Sequence, residues 1–103
     1  MDVVITPPPS LQGMVAVPPD KAICHRAALL CAVCEGTTLI TPWASAQDCQ
    51  QTAALLEQLG VDITHTPQGL RIRGVGLHGL RPPRADLSCG ESGTTLRLAA
   101  GLL

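Results

Sequence analysis

The residues with the clearest chemical potential sit where helices are expected to begin. The stretch Val15 to Arg26 reads V-A-V-P-P-D-K-A-I-C-H-R. A β-like run, Met14 to Val17, stops at two prolines, Asp20 takes the N-cap position, and an apolar, helix-compatible run follows from Ala22 to Cys34. Lys21 therefore falls in the first helical turn, where backbone N–H groups point outward and the macrodipole is positive. A cation there is poorly placed for stability. A bound anion, held by the N–H groups, Lys21 and Arg26, would give the position a purpose. The plainer reading is an exposed lysine that costs a few tenths of a kcal/mol. About 70 residues later, Gly90-Glu91-Ser92-Gly93-Thr94-Thr95 opens a second helix-compatible run, Leu96 to Leu103. Glycines and hydroxyls at a helix start make a second candidate anion site, although an ordinary capped helix reads the same way. It is not a Walker loop, because no Gly-Lys-Ser/Thr follows. Two such sites together suit a substrate carrying phosphate groups.

Other chemistries find less support. The five cysteines, Cys24, Cys31, Cys34, Cys49 and Cys89, are odd in number. Cys31-Ala-Val-Cys34 is formally C-x-x-C but lies late in a helix, whereas a reactive thiolate needs an electropositive helix start. Zinc would need two further ligands at suitable spacing, and none is evident. Small buried hydrophobes in a reducing compartment is the reading adopted. No metal site is expected. His65 and His78 have no evident partner and read as surface residues. The chain is 46% hydrophobic and 15% charged, with a formal net charge of −1. Its seven Lys and Arg residues are scattered, so neither a nucleic-acid face nor a polybasic membrane patch is expected. The N-terminus lacks a basic n-region, no apolar run reaches transmembrane length, and a cytoplasmic location is expected.

The elements that would position these residues follow in order. Val3 to Thr6 and Met14 to Val17 read as short strands separated by Pro7-Pro8-Pro9-Ser10 and Gly13. A helix is expected over Lys21 to Cys34, apolar on nearly every face, with His25 and Arg26 its only polar residues after the first turn and Glu35-Gly36 as its end. Thr37 to Thr41 is a β-branched run and reads as a strand. Ser45 would cap the next helix with Asp48 three residues on, and Cys49, Ala53, Leu56 and Leu59 form its apolar stripe up to Gly60. Val61 to Thr66 and Leu70 to Arg73 alternate, with Pro67-Gln68-Gly69 suited to a type I turn with a bulge. Arg71 and Arg73 would line the solvated face of this hairpin. Further strands are expected near Leu77 to Leu80 and Leu87 to Cys89. The fold class is therefore α/β, a βαβαββ-like succession in one small domain or part of a larger one. With Trp43 as the only aromatic residue, the core must be built from Leu, Val, Ile, Ala and Cys, which implies close packing of elements.

Four segments resemble a known family. Val17 to Ala27, V-P-P-D-K-A-I-C-H-R-A, is similar to the V-P-G-D-K-S-I-S-H-R-A segment of EPSP synthases, the enolpyruvyl transferases of the shikimate pathway. Cys89 to Leu103 resembles their C-G-N-S-G-T-T-x-R-L-x-x-G-L-L segment, and Glu35 to Ile40 with Asp48 to Gly60 matches the stretch between. The resemblance implies a two-domain enzyme of inside-out barrel type, each domain built from βαβαββ units, of which this chain would be an incomplete N-terminal part. Residues 1–18 would be opening strands belonging to the other domain, and residues 19–103 the first unit and the start of the second.

The resemblance also implies aromatic amino acid biosynthesis: transfer of the enolpyruvyl group of phosphoenolpyruvate to shikimate 3-phosphate, without metal or organic cofactor. The Lys21 position would contact both substrates. The Ala22 and Arg26 positions would hold shikimate 3-phosphate, and the Gly93 position would lie against phosphoenolpyruvate, where the herbicide glyphosate also binds. Glu91, Ser92 and Thr94 are additional candidates at the same loop. No acid–base residue of the family falls within this chain, so no catalytic residue is assigned and the isolated piece is expected to be inactive. Its partners would be the two substrates and the rest of the parent polypeptide, with self-association of the isolated piece through its apolar C-terminal helix. Ala22 replaces the family serine, a loss of about 1 kcal/mol or more to a phosphate. Pro19 replaces a hinge glycine, and Glu91 replaces an asparagine and brings a carboxylate toward an anion site. The alternatives are a diverged, non-catalytic interaction module and an enzyme like the UDP-N-acetylglucosamine enolpyruvyl transferase, whose lysine is followed by asparagine.

Overall fold

A computed structural model describes residues 1–103. The element order is α1 (Lys21–Ala32), β1 (Glu35–Ile40), α2 (Gln47–Gln58), β2 (Asp62–His65), β3 (Leu70–Val75) and α3 (Gly93–Leu102). The strands form one sheet in the order β1-β3-β2, and both pairings are antiparallel. β1 and β2 therefore run the same way. The connection through α2 leaves one strand position open between them, and the β2–β3 hairpin fills it.

Period-two alternation in β3 sets the two faces of the sheet. Leu70 and Ile72 are fully buried while Arg71 and Arg73 are exposed. The buried face packs on Ala28, Leu29 and Ala32 of α1 and on Ala53 and Leu56 of α2, with Val61 closing the cluster. A second cluster, Leu55, Leu59 and Ala99, joins α2 to α3. Alanines at the helix contacts let the backbones approach closely, as a core without Phe or Tyr requires. Gly69 serves the same end at the hairpin, since a Cβ there would lie 2.0 Å from the Ile40 carbonyl oxygen.

Several expected features form differently. Val3 to Thr6 and Met14 to Val17 are not strands, and their apolar side chains, Val3, Val4, Ile5, Met14, Val15 and Val17, are exposed. A strand needs a sheet edge to pair with, and neither β1 nor β2 offers its free edge to these segments. α1 stops at Ala32, with the Cys34 N–H donating to the Cys31 carbonyl in a tightened last turn. Glu35 and Gly36 then enter β1 opposite Val75 and Gly74, so Gly36 does not end the helix. Ala46, not Ser45, precedes α2, and no side chain caps that helix. The hairpin closes through reciprocal Thr66–Gly69 backbone bonds of 2.8 and 3.2 Å, a turn without the expected bulge. Leu77 to Leu80 and Leu87 to Cys89 are not strands. The first segment is held by a bond from Arg81 N–H to the Leu59 carbonyl, 2.7 Å, and Leu87 and Cys89 pack on the Leu55–Leu59–Ala99 cluster. Cys34 is exposed, unlike the buried Cys24 and Cys49. No helix is long and apolar enough to cross a membrane.

Candidate functional site

Each of the two sequence-marked helix starts is capped as its residues suggest. The Asp20 carboxylate accepts from Ile23 N–H at 2.9 Å, which leaves the first N–H groups of α1, those of Lys21 and Ala22, pointing outward. At α3 the Ser92 hydroxyl accepts from Thr95 N–H at 3.1 Å, leaving those of Gly93 and Thr94. The start of α2 lies between them. The Lys21 ammonium is 3.9 Å from the Asp48 carboxylate, and the Cys49 thiol donates to the Lys21 carbonyl at 3.6 Å. On the other side the Thr95 hydroxyl oxygen lies 3.4 Å from the Asp48 carbonyl oxygen.

Three helices thus begin side by side and point the same way. Each contributes roughly half a positive charge at its N-terminus. Like charges brought together in this way repel, and an anion seated over them would relieve that repulsion. Lys21, Ala22, Arg26, Glu91 and Thr94 are exposed around the three starts, and Gly93 is half-buried. Arg26 bends back so that its Nη1 donates to the Ala22 carbonyl at 3.1 Å. On α3 the Arg97 side chain also folds back, its Nη1 lying 2.5 Å from where a Cβ on Gly93 would be. The structure therefore brings Lys21, Ala22 and Arg26 to the same end as Ser92, Gly93 and Thr94. Asp48 is the one carboxylate paired with Lys21, and its place at the start of α2 favours it electrostatically. No group of three or more His, Cys, Asp or Glu residues is arranged to hold a metal ion.

Beneath this surface runs a buried polar chain that the sequence reading missed. His25 Nδ1 is 2.7 Å from the Thr52 hydroxyl, Thr52 is 2.8 Å from the Thr95 hydroxyl, and Thr95 is 2.7 Å from the Ser92 hydroxyl. All four residues are buried. The available signal was a histidine on an otherwise apolar helix and a threonine, Thr52, beside the apolar stripe of the next. Burial pushes the Cys49 thiol up to about 11, with Cys24 and Asp48 adding to the shift, so that thiol is held protonated and unreactive.

Burial also holds His25 below its ordinary 6.5, against the pull of Asp48 and with the help of Lys21 and Arg26. The sign of the pH effect follows. Above 6.5 the ring is neutral in both the folded and unfolded states. As pH falls through 6.5 the unfolded chain takes up a proton that the folded one refuses, so stability is lost down to the folded value. Thermal unfolding at pH 7 and pH 5 should show a larger drop in midpoint for the native chain than for His25→Asn. Equal drops would show that His25 is not excluded from protonation.

Known proteins resemble the chain along nearly its whole length. The family model for EPSP synthase (3-phosphoshikimate 1-carboxyvinyltransferase) matches residues 5–103. The 3-phosphoshikimate 1-carboxyvinyltransferase of Methylococcus capsulatus is 48% identical over 105 residues, which cover 99% of this chain and 24% of the relative. That of Herpetosiphon aurantiacus is 50% identical over 93 residues, covering 90% and 22%. A solved EPSP synthase from Acinetobacter baumannii superposes with a TM-score of 0.80 at 39% identity, over 88% of this chain and 21% of that one. The chain spans about a quarter of the length of the curated relatives it matches. With its fold, its helix-start motifs and these matches in agreement, the chain belongs to the EPSP synthase family.

Proposed function

We propose that residues 1–103 form one wall of the cleft of a transferase that joins the enolpyruvyl group of phosphoenolpyruvate to shikimate 3-phosphate and releases phosphate. The observation that carries this reading is the meeting of three helix N-termini around exposed Lys21 and Arg26 and half-buried Gly93. Two phosphorylated anions need such a surface. Lys21 would reach both. Arg26 and the Ala22 N–H would hold shikimate 3-phosphate, and the Gly93 and Thr94 N–H groups, with Ser92, would face phosphoenolpyruvate. Glu91 is exposed and has room to turn away from the anions. Fixed N–H groups and cations of this kind stabilise charge that moves during addition and elimination.

The exposed apolar side chains from Val3 to Val17 support assigning residues 1–18 to a neighbouring domain, with residues 19–103 as a βαβαββ unit lacking its opening strand and, in α3, the start of another. The acid–base groups would come from the rest of a longer, cytoplasmic polypeptide. The test is phosphate release from the two substrates, measured for that longer polypeptide and for residues 1–103 alone. Release by the first and none by the second is expected. No release by the longer polypeptide, with the protein folded, would overturn the reading.

A further inference from the structure

The hydroxyl chain under the site has a direction, and its direction bears on the ligand. Thr52 and Thr95 each have one hydroxyl proton to give. The Thr95 hydroxyl lies 2.7 Å from the Ser92 oxygen and 3.4 Å from the Asp48 carbonyl oxygen. Ser92 is much the nearer acceptor and takes the Thr95 proton, and the Asp48 carbonyl, which can only accept, is a distant second. Thr95 must then accept from Thr52 at 2.8 Å, and Thr52, its own proton spent, must accept from His25 Nδ1 at 2.7 Å. Ser92 now accepts twice, from the Thr95 N–H and the Thr95 hydroxyl. Its own proton is left without an acceptor in the chain. With the opposite tautomer of His25 every bond would reverse, and the Ser92 proton would be used up on Thr95.

We propose that His25, protonated at Nδ1, is a positioning residue: through Thr52 and Thr95 it keeps the Ser92 proton free for a phosphate-bearing ligand at the start of α3. This rests on the transferase reading for the ligand's identity, and on the geometry alone for the hydrogen-bond direction. His25 lies on α1 and Ser92 precedes α3, so the device also links the two helix starts that would hold the two substrates. Thr52, between them, belongs to α2.

The test combines three variants with two readouts. In the longer polypeptide, His25→Leu and Thr52→Val should each raise KM for phosphoenolpyruvate about tenfold, the effect of one charge-assisted hydrogen bond. KM for shikimate 3-phosphate should change less than about twofold. His25→Asn, whose amide can donate to Thr52, should restore most of the loss. Nitrogen NMR of His25 at pH 7.5 should show a protonated Nδ1 and a bare Nε2. In residues 1–103, titration with inorganic phosphate should move the Gly93 and Thr94 amide signals less in Thr52→Val than in the native chain. A bare Nδ1, equal losses in His25→Leu and His25→Asn, or an unchanged phosphoenolpyruvate KM in Thr52→Val would each overturn the proposal. If the native polypeptide shows no turnover, the transferase reading falls by itself. The tautomer and the phosphate response then decide the positioning role without it.

Discussion

Gly74→Ala should lower the thermal unfolding midpoint of the chain by roughly 10–20 °C, corresponding to about 2–3 kcal/mol. The reason is a backbone contact that no side chain can soften. A Cβ at Gly74 would lie 2.0 Å from the Cys34 carbonyl oxygen and 2.4 Å from that of Cys31. Cys31 stands in the last turn of α1 and Cys34 two residues past its end, where the Cys34 carbonyl also accepts from Gly76 N–H at 3.0 Å. The helix end would have to lift off β3. Lifting it opens the contact of Ala28, Leu29 and Ala32 with Leu70 and Ile72, the middle of the main core. Gly101→Ala is the control. Nothing lies within 4 Å of its Cβ position, and alanine is favoured in a helix by up to about 1 kcal/mol, so its midpoint should hold or rise. Trp43 packs against two of the core clusters and is the only aromatic residue, so its fluorescence reports the melt. A Gly74→Ala midpoint within about 2 °C of the native value would show that α1 is not held on the sheet as described.

The same contact shows where sequence reasoning reached and where it stopped. The three helices, the β1 strand and the β2–β3 hairpin were legible because each carries its own period, cap or β-branched run. Asp20 and Ser92 act locally, three residues from the N–H groups they accept from; Asp20 was readable as a cap, whereas Gly90 to Thr95 read only as a loop before a helix that in fact begins at Gly93. Gly74 was not legible as a packing glycine. Its constraint comes from the end of α1, 40 residues earlier, and neither a turn nor a positive φ marks it. The opening strands failed for the complementary reason. Val3 to Thr6 and Met14 to Val17 have strand propensity, but propensity supplies no pairing edge.

At the site, the types of residue were visible and their partnerships were not. Lys21 and Arg26 could be placed on a helix start from spacing alone. That Asp48 faces Lys21 depends on how α1 and α2 pack, and no local pattern fixes that. The expected capping box assigned Asp48 to its own helix, whereas the structure turns it toward a neighbour. His25, Thr52 and Thr95 stand in three separate segments, and each looks unremarkable by itself. Only their convergence beneath the helix starts makes them a polar chain.

Lys21→Met should separate binding from stability more sharply than any other change at the site. Lys21 is exposed and sits at the positive end of α1, where its charge gives the helix nothing. Its one ion pair, with Asp48 at 3.9 Å, is between two solvent-accessible side chains and contributes little to stability. Removing the charge should therefore leave the thermal midpoint within about 3 °C of native. The proposed anion site loses the ammonium that lies between the starts of α1 and α2. If the proposed transferase reading is right, kcat/KM of the longer polypeptide should fall by about 100- to 1,000-fold, the usual scale for deleting one preorganised group that meets developing charge. Lys21→Arg should recover little, because a planar guanidinium cannot take the place of a compact ammonium proposed to meet both anions. Asp48→Asn gives the opposing arm: without its carboxylate, Lys21 is freed for the ligand and phosphate affinity should rise modestly. Steady-state kinetics and melting curves on these three variants check the whole set. A Lys21→Met protein that keeps its turnover would place the anion away from the three helix starts. One that loses turnover and melting temperature together would make the lysine a structural residue.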